Sequence, residues 1–278
     1  MAESEAVSRR SFIRLAAAGA ATAGLVHSPH LLASATPDAD AASALARTLL
    51  EIAQANRILA REGILDVTGH VSARHPTRPD RYILAKSRSP ALVTRADLLE
   101  FKLDNSPVTP TRESLYYERP IHGQIYEARP DVMAVVHNHS PSVLPFTVSE
   151  QPLRPVINSA ALIGDTIPMF DLQEKFGDTD TLVSSVERGR ALAAKLGQAN
   201  VALLRGHGSV VVAGGIRQAV HASIYLDQNA RVQLEALRLG SVKEMTTGEI
   251  SALGKIFRAN GTDRGWEYWL SRADLKGI

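Results

Sequence analysis

The chain of 278 residues contains no cysteine. Disulfide frameworks, thiolate metal sites and cysteine nucleophiles are therefore excluded together. Any metal bound here must be held by imidazole and oxygen ligands. An excess of charge of one sign is also lacking, because 31 Lys and Arg oppose 29 Asp and Glu for a formal net charge of +2. One of those two charges belongs to the N-terminal stretch, where Arg9, Arg10 and Arg14 face Glu3 and Glu5. The near-neutral remainder has no clustered basic face, which excludes nucleic acid as a partner. Beyond residue 40 there is no repeat, charge run or low-complexity linker, and so nothing to divide the body into two domains. What remains is an ordinary globular composition, 45% hydrophobic and 22% charged, suited to one large domain.

The N-terminus reads as an address. A basic stretch from Arg9 to Arg14 leads into an apolar, small-residue run from Leu15 to Val26, and Ala33-Ser34-Ala35 follows as an A-x-A processing site. That order is a secretory signal, and the apolar run is too short to span a bilayer comfortably. Ser8-Arg9-Arg10-Ser11-Phe12-Ile13 resembles the twin-arginine export signal. The expectation is a signal peptide over 1–35, a single domain over 36–278, and a periplasmic protein without a membrane anchor after processing.

Along the body, helices and strands interleave. Leu45, Leu49, Ile52, Ala53, Ile58 and Leu59 recur at helical spacing between Ala41 and Glu62, and Gly63 ends the run. His70–Arg74 and Arg81–Ala85 predict short strands, Ser114–Ala128 a helix stopped by Arg129-Pro130, and Val132–His139 a β-branched strand. A short helix is expected behind Pro141, a helix over Val183–Leu196, and strands at Val201–Leu204 and Val210–Val212 around a Gly206–Gly208 turn. A long helix over Ile216–Leu239 and two shorter ones complete an α/β domain with helices on the sheet faces.

Histidines concentrate the chemistry. His137-Asn138-His139 ends an apolar strand, where residues two apart share a face and both imidazoles reach one ion. Catalytic metal sites commonly use three protein groups and leave positions open. His207, flanked by Gly206 and Gly208 at a second strand end, is the natural third. Such a set suits Zn, Mn or Fe, one divalent ion per chain. Glu118 lies nineteen positions before His137, on the predicted helix, with His122 four residues on, either packed in the core or at the surface or orienting Glu118. Trp266, Tyr268 and Trp269 cluster near the C-terminus, either as packing or as the lining of an aromatic pocket.

These residues resemble the class II aldolase/adducin family. The likeness is carried by Glu118, Ala128-Arg129-Pro130-Asp131, Ala134-Val135-Val136-His137-Asn138-His139 and Arg205-Gly206-His207-Gly208. Gly69-His70-Val71-Ser72 is similar to its early G-N-V-S loop, with His70 in place of Asn. The resemblance spans roughly residues 45–240. It implies a three-layer α/β/α sandwich on a central mixed, largely antiparallel sheet, and a homotetramer with sites near subunit contacts. It also implies that His137, His139 and His207 bind the metal and that Glu118 acts as acid/base.

Departures from the sugar-phosphate aldolases turn the reading toward another substrate. Those enzymes place a Ser-Ser pair before the catalytic Glu, where this chain has Tyr116 and Tyr117. They also offer a tyrosine about twenty residues after H-x-H, where this chain has Asn158-Ser159. Arg88, with Ser87, is fitted to grip a carboxylate. Similar Ser-Arg-Ser-Pro loops, and aromatic residues before the Glu, occur in members that decarboxylate dihydroxylated aromatic acids. The expected function is decarboxylation of a hydroxylated, small-molecule organic acid, with His70, Ser87, Arg88 and Tyr117 contacting it. Retro-aldol cleavage of a hydroxy-oxo acid is the alternative. A non-haem iron oxygenase and a non-catalytic adducin-like module are the remaining ones.

Overall fold

A computed structural model describes residues 37–278; the expected signal peptide lies outside the described residues. Seven strands form one sheet: β1 (His70–Arg74), β2 (Arg81–Ala85), β3 (Leu98–Lys102), β4 (Ala134–Asn138), β5 (Met169–Phe170), β6 (Val201–Leu204) and β7 (Gly208–Ala213). Their order is β3-β2-β1-β4-β7-β6-β5, with only the β5–β6 pair parallel. Eight helices accompany them: α1 (Pro37–Arg61), α2 (Arg119–Ala128), α3 (Leu144–Thr147), α4 (Leu172–Phe176), α5 (Val186–Leu196), α6 (Ile216–Leu239), α7 (Thr247–Ile256) and α8 (Asp263–Leu270).

Strand alternation splits the core into two. Val71, Ala73, Ala134, Val136, Val201 and Val211 point to one face and pack with α1, α6 and α8. Tyr82, Val135, Ala202, Leu204, Val210 and Val212 point to the other and pack with α2 and α5. Each face therefore buries a continuous apolar surface at about 25 cal/mol per Å², and the expected mixed, largely antiparallel α/β/α arrangement is what the chain adopts. The same alternation sets the site. His70 and His137 are direct partners across β1 and β4, and both share the α2 side with Ser72 and Val135.

Several boundaries differ from the sequence reading, among them the start of α1 at Pro37 and the ends of β7 at Gly208 and Ala213. The helix expected from Ser114 begins at Arg119, with Glu118 as its cap. Pro120 has no N–H to give and sits without cost in a first turn, so the helix starts there. The helix expected from Val183 begins at Val186, where the Ser185 side chain accepts from the Arg188 N–H. The strand expected from Val132 is trimmed to Ala134–Asn138. The edge strands β3 and β5 were not anticipated. β3 carries Glu100 and Lys102 in a run of five, and β5 has two residues, too few for periodicity to register.

Candidate active site

Three strand ends and one helix start converge at one edge of the α2 face. β4 delivers His137 at its C-terminal end and His139 just beyond it. The β6–β7 turn delivers His207, because Asn138 pairs with Ser209 across β4 and β7. That turn is built on glycine. Gly206 has φ of +62°, and a Cβ on Gly208 would overlap the Asn138 carbonyl and approach the His139 ring at 2.9 Å. Glu118, capping α2, completes the group, and the four ligand atoms all lie within 4.8 Å of one another.

The Nε2 atoms of His137 and His139 are 3.1 Å apart. Glu118 Oε2 is 3.4 Å from His137 Nε2 and 3.5 Å from His207 Nε2. Atoms behind the rings set the tautomers. His137 Nδ1 donates to the Ser209 carbonyl at 3.2 Å. His139 Nδ1 faces both Asp66 oxygens at 3.1 Å. With the protons on Nδ1, two bare Nε2 lone pairs are aimed at each other, an arrangement that a cation between them satisfies. Three imidazoles and a carboxylate with open positions fit a divalent metal, and no thiolate competes.

Glu118 is buried, and its second oxygen accepts from the Val183 N–H at 2.8 Å. Burial pushes its carboxyl pKa up, but positive charge on the His137 and His207 rings outweighs burial and holds it well below the usual carboxylate range. Burial likewise pulls the His139 imidazole below its ordinary value, helped by His137 and opposed by Asp66. For Asp66 partial burial acts upward, yet bonds from the Thr68 and Gly69 N–H groups and His139 bring it down to about 2. His139 is thus backed by an ionised carboxylate.

A cavity of about 510 Å³ opens outward from the cluster, with His139, His207 and Glu118 in its wall. The four residues expected to meet substrate, His70, Ser87, Arg88 and Tyr117, all line it. Their engagement differs. Arg88 spends its Nε on the Leu92 carbonyl at 2.9 Å, with Asp97 at 3.3 Å, so only the end of its guanidinium is free. Tyr117 stands on the rim, 80% exposed, whereas Tyr116 is buried behind it and donates to the Arg88 carbonyl. His122 does not meet Glu118. It turns inward to Ser72 and His70, because Glu118 precedes the helix and its carboxylate is taken by Val183. Trp266 and Trp269 lie in the core against α1 and α6 and do not line the cavity.

Sequence reading missed Asp66, and with it the Thr181–Val183 segment that walls the cavity and holds Glu118. Asp66-Val67-Thr68-Gly69 does carry a signal. Asp66 Oδ1 accepts from the N–H groups of Thr68 and Gly69, the Asx-turn chemistry that an Asp two or three residues before Thr and Gly advertises. Nothing local says that the same carboxylate reaches His139.

The family model for the class II aldolase and adducin N-terminal domain matches residues 50–234. The chain belongs to this family. Among its relatives, a fungal protein of Talaromyces stipitatus named decarboxylase tropJ is 31% identical over 245 residues, covering 80% of this chain and 92% of the relative. A 3,4-dihydroxyphthalate decarboxylase of Arthrobacter keyseri is 29% identical over 237 residues, with coverage of 80% and 92%. Among solved structures, the L-fuculose 1-phosphate aldolase of Glaciozyma antarctica superposes with a TM-score of 0.66 at 23% identity, covering 83% of this chain and 88% of the aldolase. That likeness shows the shared fold.

Proposed function

We propose that this chain is a divalent-metal-dependent lyase that decarboxylates a hydroxylated aromatic carboxylic acid. The observation carrying the reading is the convergence of one ligand atom each from Glu118, His137, His139 and His207 within 4.8 Å, at the wall of a cavity of about 510 Å³ that also holds Arg88 and two tyrosines. His137, His139 and His207 would hold the ion, with Zn, Mn and Fe all suited to the donor set. Bound there, the cation supplies charge stabilisation for a substrate oxygen. Relatives named as decarboxylases of a dihydroxylated aromatic acid support the reaction class.

The chain's own residues account for the proton. Glu118, ionised at rest, takes the proton of a substrate hydroxyl and returns it to the ring carbon that loses its carboxylate. The C–C bond electrons pass to the ring as CO₂ departs, and one solvent proton restores the hydroxyl. The free end of Arg88 is placed for a carboxylate, and the Tyr116 and Tyr117 rings replace the phosphate-binding serines of the sugar-phosphate aldolases. Retro-aldol cleavage is the alternative outcome of the same test. Incubating metal-reconstituted protein with dihydroxybenzoates, dihydroxyphthalates and hydroxy-oxo acids should release CO₂ from an aromatic acid. Pyruvate from a hydroxy-oxo acid, with no CO₂, would replace the decarboxylase reading by the aldolase one. Glu118→Gln should retain metal and lose turnover by at least about 100-fold; wild-type rates would remove Glu118 from the mechanism.

Two further features belong to this proposal. The N-terminal signal supports export to the periplasm by the twin-arginine route, and no helix of the described residues is long and apolar enough to cross a membrane. The family resemblance implies a homotetramer, in which a subunit contact would cover Val67 and Tyr117, exposed by 72% and 80% at the cavity mouth.

A further inference from the structure

On the α2 side of β1, four polar side chains form an unbroken line from the interior to the cavity. The Tyr126 hydroxyl lies 2.8 Å from Ser72 Oγ, and Ser72 Oγ lies 2.6 Å from His122 Nδ1. His122 Nε2 is 2.7 Å from His70 Nδ1. All four residues are buried, yet His70 lines the cavity. Its ring centroid is 5.2 Å from that of His137, and it stands outside the group of four that could hold a metal.

Each neutral imidazole passes the direction of its bonds on, since it has one N–H and one acceptor nitrogen, whereas the Ser72 hydroxyl can donate once and accept twice. If His70 donated inward from Nδ1, His122 would donate to Ser72 and Ser72 to Tyr126. The Tyr126 proton would then have no acceptor among the described residues or, with Ser72 accepting from both neighbours, the Ser72 proton would have none, in either case a buried unpaired donor of the kind native interiors avoid. The opposite direction satisfies every group. Tyr126 donates to Ser72, Ser72 to His122 Nδ1, and His122 Nε2–H to His70 Nδ1. His70 is left with its proton on Nε2, the nitrogen available to the cavity.

We propose that Tyr126, Ser72 and His122 lock His70 into the tautomer protonated on Nε2, making it a fixed donor that selects substrates presenting an oxygen acceptor beside the Glu118 cluster. The two rings meet nitrogen to nitrogen at 2.7 Å, so one of the facing nitrogens is bare, and both rings are buried, where charge is disfavoured. Ser72, His122 and Tyr126 are positioning residues, and His70 is the group that meets substrate. A donor that cannot become an acceptor rejects an analogue bearing N–H at that position, because two donors then face each other. The lock stands on the hydrogen-bond line alone, whereas the role in substrate choice rests on the decarboxylase reading.

The test is ¹⁵N NMR of the histidine-labelled protein, with His70→Asn and His122→Gln assigning the signals. His70 and His122 should both show a protonated Nε2 and a bare Nδ1. Ser72→Ala should convert both into tautomer mixtures, and Ser72→Thr should restore the single form. With an acid that the protein decarboxylates, Ser72→Ala should raise KM roughly tenfold, as for one lost hydrogen bond, with kcat little changed. Protons on Nδ1 in the wild type, or unmixed tautomers in Ser72→Ala, would overturn the lock. Unmixed wild-type tautomers in a protein that turns over none of the acids would support the lock and remove only the decarboxylase reading.

Discussion

At the residue scale, His137 and His139 divide their labour, each holding a partner on Nδ1 and turning Nε2 to the cluster. The bond from His139 Nδ1 to Asp66 does for that ring what the Ser209 carbonyl does for His137. Such partners typically contribute 10–100-fold in metal affinity. Asp66→Asn should therefore weaken binding by roughly that factor in a competitive chelator titration, without altering the fold; unchanged affinity would leave Asp66 a turn former only. That His137, His139 and His207 come together was legible in the sequence, because i and i+2 in a strand share a face and two glycines flagged a close approach. The backing groups were not. Asp66 and His139 are 73 positions apart, and Ser209 acts through a carbonyl that every residue has.

At the element scale, the glycine of the β6–β7 turn carries the most weight. A methyl at Gly208 has nowhere to go but into the Asn138 backbone and the His139 ring, so the turn or β4 must shift. Gly208→Ala should cost about 1–3 kcal/mol of stability and displace His207 from His139, measured as a lowered midpoint in denaturant together with reduced metal content. A variant as stable and as well loaded as wild type would contradict this packing. Elements with clear periodicity were legible: β1, β2, β6 and α6 stand where the pattern puts them. The failures have two physical causes. Pro120 sets the start of α2 locally, whereas pairing with neighbouring strands trims β4, and a two-residue strand such as β5 exists only through its pairing with β6.

At the scale of the whole molecule, the sheet separates two cores, and a histidine is buried in the one away from the site. His221 packs against Tyr225, Phe257 and Trp269. Burial brings its pKa down to about 4, partly opposed by the bond to the Ser159 carbonyl. Because the folded value is below the unfolded one, His221 favours folding above about pH 6.5, and that contribution is lost as pH falls through about 4. His221→Gln should flatten the acid limb of stability over that window by up to about 3 kcal/mol, read from unfolding midpoints at a series of pH values. Parallel limbs would show that the imidazole is free to charge in place. One α/β unit with helices on both faces was legible from interleaved patterns, whereas the strand order depends on pairings that no single segment encodes.

The central claim is that His137, His139 and His207 share one ion. Elemental analysis of the purified protein beside His207→Ala tests it most directly. The account predicts about one Zn, Mn or Fe per chain, as three protein ligands with open positions imply, and its loss in the variant with the fold intact by circular dichroism. Metal retained in full by His207→Ala, or none in either protein after reconstitution, would contradict it.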